Sequence, residues 1–452
     1  MRPGSEGRGI AAEESTVEVV INGLAGGGDG VGCLPPALGA GVVFVPDTAP
    51  GDRVRVVLDS SPGGRRRWRR GRLVEVLEGG PDRREPRCGV SLLCGGCQWH
   101  HLLEEAQLLA KQEILGRAFR QARLPLVPPP LVPSPRQVGY RSRARVRWET
   151  SPKGEIRVGF RARRSHRLVE TDRCPVLVPS LEPVLGLLAR HLPVGSRGEA
   201  MLLSAPSGQC GAALRGEGLA SGAAARLGEA LEGALVLVEL LDDRGMSRER
   251  WGAQWLDLAA EGEPPFWAAP HCFSQANLEL NEALRARVRA WASEALADRT
   301  EEVTEEPRLV ELFAGSGNLT RELASLGSVV AVESDPRAVA LGRLNLEDRS
   351  ITWRQQEAAE ALKSGLSPQG PPSLVVLDPP RSGARELLDG LSALAPQRIL
   401  YVSCDAMTLA RDVAILACEG YLPTRVEALD TLPQTAHFEM VVDLRRGSRL
   451  RR

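Results

Sequence analysis

Between Arg308 and Ser403, four apolar runs ("RLVELF", "SVVAVE", "SLVVLD" and "RILYVS") each break at a turn and give way to a segment of helical composition. Short strands that are apolar throughout belong to a sheet covered on both faces, and strand–helix alternation supplies the covering. A weaker strand, "SITWRQ", lies between the second and third runs. Residues 266–448 are therefore expected to form a doubly wound, Rossmann-like α/β domain. The tail, "YLPTRVEALDTLPQTAHFEMVVDLRR", reads as two further strands around a loop, closing the sheet with an antiparallel edge.

Ligands of such sheets bind outside the carboxyl ends of the strands, so the loops there decide the chemistry. In "LVELFAGSGNLT", Gly315 and Gly317 let the backbone approach a ligand, and a helix starts near Asn318–Thr320. A lone G-x-G is more often a plain turn than a site. Here the next strand ends in Glu333, an acid placed to hold ribose hydroxyls, while the third glycine of a pyrophosphate site is missing. A ribose ligand without a phosphate bridge fits, and S-adenosylmethionine is the common one. The third run ends in Asp378 followed by Pro379 and Pro380, a rigid loop beside the crevice, with Arg381 next to it. The fourth run ends in Cys404, a thiol at the open end of the sheet rather than inside it.

A chain of 452 residues is too long for one ordinary domain. Residues 15–78 alternate as a small OB-like β-barrel, with strands in "TVEVVINGL", "GVVFVPDTA", "DRVRVVL" and "RGRLVEVLE" and the glycine-rich "GLAGGGDGVG" as a tight connection. Residues 79–265 form an α+β central domain. Within it, 98–127 are expected to be helical and to pack on the catalytic domain, and 180–265 alternate helices and strands without a readable motif. Net charge is zero, yet Arg136–Arg167 carries eleven basic residues against two acids, and "GGRRRWRRGR" puts six arginines between Arg65 and Arg72. Arg141, Arg143, Arg145 and Arg147 recur every second residue, which aligns them on one face of a strand. A solvated face rarely needs four like charges side by side, whereas a phosphate backbone does, so RNA contact is assigned to them.

Nine cysteines in a chain with no run of ~20 apolar residues and no secretory-type N-terminus point to a cytoplasmic protein whose thiols serve metal or catalysis. Cys33, Cys210, Cys272 and Cys418 stand singly and read as small buried hydrophobes. Cys88, Cys94 and Cys97, with Cys174 as a distant fourth, form a ligand set for structural zinc or an iron–sulfur cluster, although C-x5-C fits zinc ribbons poorly. His100 and His101 read as residues at a helix start rather than ligands.

"FSQANLELN", "ELFAGSGNLT", "LDPPRSG", "VSCDAMTLARD" and "DTLPQTAHFEMVVDL" occur in this order. Together they resemble the RNA uracil-5 methyltransferases, specifically the branch with an N-terminal TRAM barrel and an iron–sulfur cluster. The resemblance covers all but residues 180–265. It implies a class I methyltransferase domain that forms 5-methyluridine, with Cys404 as nucleophile and Glu439 as base. It also implies that Gln275, Phe313, Asn318, Glu333 and Asp378 contact S-adenosylmethionine, that Asp378 faces the flipped target base, and that Glu357 reads the adenine. A [4Fe–4S] cluster is favoured over zinc for the four cysteines. The TRAM barrel and cluster favour 23S ribosomal RNA as substrate over transfer RNA, for an enzyme acting as a monomer. Two departures stand out: Asp405-Ala406 follows the nucleophile where the family has Asn-Pro, and Ser274 replaces a bulkier residue. A negative charge beside Cys404 opposes thiolate formation. It is the one feature that favours a non-catalytic RNA-binding relative.

Overall fold

The computed structural model describes residues 16–38, 41–59, 67–297, 306–347, 351–366 and 370–447. Arg65 and Arg66 of the first arginine cluster lie outside the described residues.

Strands β1 (Thr16–Leu24), β2 (Gly30–Cys33), β3 (Val42–Val45), β4 (Arg53–Leu58) and β5 (Trp68–Glu78) close a barrel in the order β1-β2-β3-β5-β4. Its interior is β-branched: Val19, Ile21, Val43, Val45, Val54 and Val56 pack together. The glycine-rich connection is therefore more than a turn, since its last three residues open β2. A Cβ on Gly30 would come within 2.0 Å of Thr48 Oγ1, and one on Gly32 within 2.3 Å of Val19 Cγ1. Only glycine lets this strand pass so close to a filled interior.

Helix α1 (Glu104–Gln121) is shorter than the span 98–127 read from its leucines. The prolines after Leu124 cannot continue it, and residues 98–103 are used in turns before it begins. His100 and His101 are buried in those turns, ahead of the helix. The helix packs on the catalytic domain: Trp99, Leu102, Leu115 and Phe119 share one core with Tyr401, Leu409, Val413 and Phe438. Lys111, fully buried, crosses the same boundary to pair with Asp430 and donates to the Leu432 carbonyl at 3.1 Å. Neither charge is tolerable there without the other.

The central sheet combines β6 (Arg143–Thr150), β7 (Ile156–Arg161), β8 (Leu168–Glu170), β9 (Arg197–Ser204), β10 (Cys210–Glu217), β11 (Leu237–Leu241) and β12 (Ser247–Gly252) in the order β12-β11-β10-β9-β6-β7-β8. Helices α2 (Glu182–His191) and α3 (Ala223–Ala230) cover it, burying Leu185, Leu188 and Leu227. The stretch without a readable motif is thus the continuation of the sheet that holds the basic strand β6. A short ribbon, β13 (Leu256–Asp257) with β14 (Trp267–Ala268), leads to helix α4 (Leu278–Ala297).

The second seven-stranded sheet has β15 (Arg308–Leu312), β16 (Ser328–Glu333), β17 (Ile351–Gln355), β18 (Leu374–Leu377) and β19 (Arg398–Ser403) in parallel. Helices α5 (Thr320–Leu323), α6 (Pro336–Asn345), α7 (Ala358–Ser364), α8 (Leu388–Leu394) and α9 (Ala406–Cys418) connect these strands and follow the last of them. The two tail strands, β20 (Tyr421–Leu429) and β21 (Glu439–Arg446), run antiparallel, giving the order β17-β16-β15-β18-β19-β21-β20. The last strand slots in beside β19 and leaves β20 at the edge. Strand order reverses between β15 and β18, the switch point where such sheets open a crevice. Among the described residues no helix is long and apolar enough to cross a membrane. Cys210 and Cys272 are buried, but Cys33 and Cys418 are exposed, at the ends of β2 and α9.

Candidate active site and cysteine cavity

The turn after β15 forms one wall of the crevice. Phe313, Gly315 and Gly317 all adopt positive φ, +63°, +56° and +94°. A Cβ on Gly315 would meet nothing within 4 Å, whereas one on Gly317 would strike Leu346. The first glycine thus faces open space and the second a packed helix. Gly315 N donates to Glu333 Oε2 at 2.9 Å, and the other carboxylate oxygen accepts from Asp335 N at 2.8 Å. Glu333 therefore braces the turn. Asn318 and Asn281 exchange amide hydrogen bonds at 2.8 and 2.9 Å, tying the turn to α4.

Gln275, Phe313, Gly315, Asn318 and Asp378 line one cavity, joined by Ser274, Asn281 and Glu311. Glu357 stands apart from this lining, exposed just before α7. Glu311 and Asn281 escaped sequence reading. Glu311 is concealed inside the apolar run of β15, where an acid amid buried strand residues was the available signal. It is 2% exposed, its Oε2 has no partner among the described residues, and burial pushes its carboxyl up to about 8. Burial likewise raises Asp378 to about 6.

Cys404 and Glu439 meet through strand register. Ser403 pairs with Met440 in the antiparallel β19–β21 ladder, so the next rung sets Cys404 opposite Glu439. Burial holds the Glu439 carboxyl well above the ordinary range, Asp378 pushes it further and Arg381 opposes. Its Oε2 has no hydrogen-bond partner among the described residues. The Cys404 thiol is pushed up to about 11, first by burial and then by Glu439, with Arg381 pulling the other way and Asp378 and Asp405 adding smaller pushes. Cys404, Glu439 and Asp378 thus form one electrostatic unit.

The loop after Asp378 is held by α9. Thr408 Oγ1 donates to the Arg381 carbonyl at 3.3 Å, and Arg411 donates to the Ser382 carbonyl at 2.9 Å. Buried Asp412 accepts from Ala384 N and Tyr401 OH, both at 2.7 Å. Asp405 is the N-cap of α9, its Oδ1 accepting from Met407 N at 3.1 Å and Thr408 N at 2.9 Å. The carboxylate beside Cys404 is thus occupied in capping a helix, where negative charge is favourable. Asn caps as well as Asp. Asp405→Asn is therefore expected to change stability by less than about 0.5 kcal/mol while easing thiolate formation; Asp405→Ala should cost about 1 kcal/mol. Thermal unfolding and the rate of Cys404 alkylation against pH test both.

The four remaining cysteines share a second cavity, of about 690 Å³, in the central domain. Cys88, Cys94, Cys97 and Cys174 line it with Arg141, Arg145 and Arg147. Arg143 departs from this set. Its guanidinium donates to the Cys272 carbonyl and stands 5.9 Å from the Phe273 ring centroid, so it braces the loop before Gln275. Burial pushes the Cys97 thiol to about 12 and that of Cys174 to about 11, with the neighbouring cysteines adding to the first. Among the described residues, no three His, Cys, Asp or Glu side chains converge on a point that could hold one metal ion.

A family model described as "Conserved hypothetical protein 95" matches residues 284–416. The chain is 33% identical to the 23S rRNA (uracil(1939)-C(5))-methyltransferase RlmD of Halomonas elongata, over 98% of this chain and 92% of that protein. It is 31% identical to an uncharacterized RNA methyltransferase of Nostoc sp., over 95% and 96% of the two chains. In fold it is similar to the Pyrococcus abyssi tRNA (uracil-54, C5)-methyltransferase solved with S-adenosyl-L-homocysteine. That likeness has a TM-score of 0.72 at 22% identity and covers 94% of this chain and 99% of the other.

Proposed function

Since the chain belongs to the RNA uracil-C5 methyltransferase family, we propose that it methylates carbon 5 of a uridine in 23S ribosomal RNA, using S-adenosylmethionine and a covalent adduct on Cys404. The observation that carries the reading is the opposition of Cys404 and Glu439 at the β19–β21 strand ends. Uracil carbon 5 is too weak a nucleophile to take a methyl group unaided. Addition of the Cys404 thiolate to carbon 6 makes it an enolate, which takes the methyl group. Glu439 then removes the carbon-5 proton, the carbon 5–carbon 6 double bond re-forms, and the thiolate leaves. A base in structured RNA must be flipped out to reach this crevice, and phosphate contacts from the basic central sheet, Arg145 and Arg147 among them, would offset part of that cost.

S-adenosylmethionine supplies an electrophilic methyl on a sulfonium. The residues fit that cation, because Glu311 and Asp378 present buried acids to one cavity. Both acids are neutral at low pH and become anionic as pH rises through about 6 and about 8. Affinity for S-adenosylmethionine is therefore expected to rise over that range, by about tenfold for each carboxylate whose pKa the cation lowers by one unit. S-adenosylhomocysteine, which lacks the sulfonium, should show a flatter profile in titration calorimetry.

Cys88, Cys94, Cys97 and Cys174 would hold a [4Fe–4S] cluster. The four thiols line one cavity of about 690 Å³, and the family resemblance favours a cluster over zinc for such a set. The cluster would act as a staple for the cysteine loop. A transfer RNA substrate is the second reading, favoured by the fold likeness to the archaeal enzyme. The deciding experiment is methyl transfer from labelled cofactor to unmodified total RNA. Label in 5-methyluridine of 23S RNA is the expected result. Label confined to transfer RNA would overturn the substrate, and no label despite bound cofactor would overturn the activity.

A further inference from the structure

Residues 430–438 join β20 to Glu439, and hydrogen bonds from this segment run to the central domain. Gln434 is the focus. It is completely buried and holds a positive φ of +66°, a conformation that persists only where its surroundings over-determine it. Its carbonyl accepts from Gln98 N at 3.0 Å and Trp99 N at 2.9 Å, the two amides that directly follow Cys97. Its own N–H donates to Gln107 Oε1 at 2.8 Å. Its side-chain oxygen accepts from Arg84 at 2.9 Å and Gln107 at 3.1 Å, and its amide nitrogen donates to the Gln137 carbonyl at 3.2 Å. Tyr140 OH donates to the neighbouring Pro433 carbonyl at 2.9 Å.

On its other side the cysteine loop is gripped by one side chain. Arg163 donates to the carbonyls of Ser91, Cys97 and Cys94 at 3.0, 3.1 and 3.3 Å, and to Asp47 at 2.8 Å. Hydrogen bonds therefore tie the cysteine loop through Gln98–Trp99 to Gln434, and residues 435–438 lead from there to Glu439, the first residue of β21. Cys404 is reached differently, at the end of a strand paired along its length with β18 and β21.

We propose that Gln434 is a positioning residue that couples the conformation of the Cys88–Cys97 loop to Glu439, so that loosening the loop slows proton removal more than methyl transfer. The coupling rests on the roles given above to Cys404 and Glu439. Addition of the thiolate and methylation of the enolate proceed when the latch is loose. Without an aligned base the carbon-5 proton stays, the sulfur–carbon 6 bond is not broken, and methylated RNA remains attached to the protein.

Three variants test this. Gln107→Met keeps side-chain length and helix propensity on α1 but loses the bonds to Gln434. Gln434→Asn tolerates positive φ and withdraws the side-chain amide. Cys97→Ser perturbs the loop itself. Each is expected to bind S-adenosylmethionine within about twofold of wild type. Each should also accumulate an SDS-stable, methylated RNA adduct, lose turnover by up to about 100-fold, and show faster amide exchange over residues 430–437. Unchanged turnover and exchange in the three would overturn the coupling. So would joint loss of adduct formation and cofactor binding in Gln107→Met and Gln434→Asn, which would make Gln434 a folding element only. Absent methyl transfer by wild type, or no trapped adduct with Glu439→Gln, would overturn the underlying reading and the coupling with it.

Discussion

Cys404→Ala is expected to reduce methyl transfer by on the order of 10⁴-fold or more, the scale on which loss of a covalent nucleophile acts. Cofactor affinity should stay within about twofold, because Cys404 does not line the cavity of Gln275, Phe313 and Asp378. The size of the effect follows from the chemistry, since among the described residues no other thiol stands at the end of β19. The thiol also sets a pH dependence. Its folded pKa is raised to about 11, so the reactive thiolate is scarce at neutral pH and grows about tenfold per pH unit below that value. Single-turnover adduct formation should climb with pH until another step limits it. Arg381 is the group that pulls this pKa down, and its replacement by Met should depress the climb further. Methylation by Cys404→Ala within a factor of ten of wild type would remove the covalent route.

Sheet, glycine turn and thiol were legible because each has a local signature: apolar runs of strand length, glycines before a helix, a cysteine after a strand. What brings Cys404 to Glu439 is not local. The acid reaches the thiol only because β21 inserts beside β19, a pairing that no window of sequence contains, and family resemblance supplied it instead. Glu311 was hidden for the opposite reason, since its apolar neighbours spoke for a buried strand and outweighed one acid. Strand β2 was masked by glycines that read as a turn yet serve close packing against Val19 and Thr48. Alternation put Arg143 with its neighbours, but tertiary contact with the Cys272 carbonyl took it elsewhere. Residues 180–265 carry no readable motif, and their strands β9 to β12 continue the sheet of β6 through pairings distant in sequence. The Gln434 contacts span up to 350 residues of sequence and have no signature at all.

Glu439→Gln is expected to leave the first methyl transfer intact and to lower turnover by about 10²- to 10⁴-fold, the usual contribution of a general base. The substitution keeps the shape of the side chain and removes the proton acceptor. One methyl group per protein molecule should then appear in an SDS-stable RNA adduct, with free 5-methyluridine nearly absent. Burial and Asp378 hold the Glu439 proton tightly, which at first sight hinders a base. The order of events turns this to advantage. While the sulfonium charge is present, the buried acids around Asp378 are drawn toward their anionic forms. In the proposed mechanism Glu439 would meet its proton after that charge has been spent, in surroundings that Asp378 keeps negative, and would then be a stronger base than at the start. An anionic Glu439 would be unable to protonate the enolate before the methyl group arrives, and would take the carbon-5 proton once methylation has made that carbon tetrahedral. If Glu439→Gln forms no adduct, the carboxylate is needed earlier, to generate the Cys404 thiolate. If it turns over normally, the proton leaves by another route and the opposition of the two residues is structural.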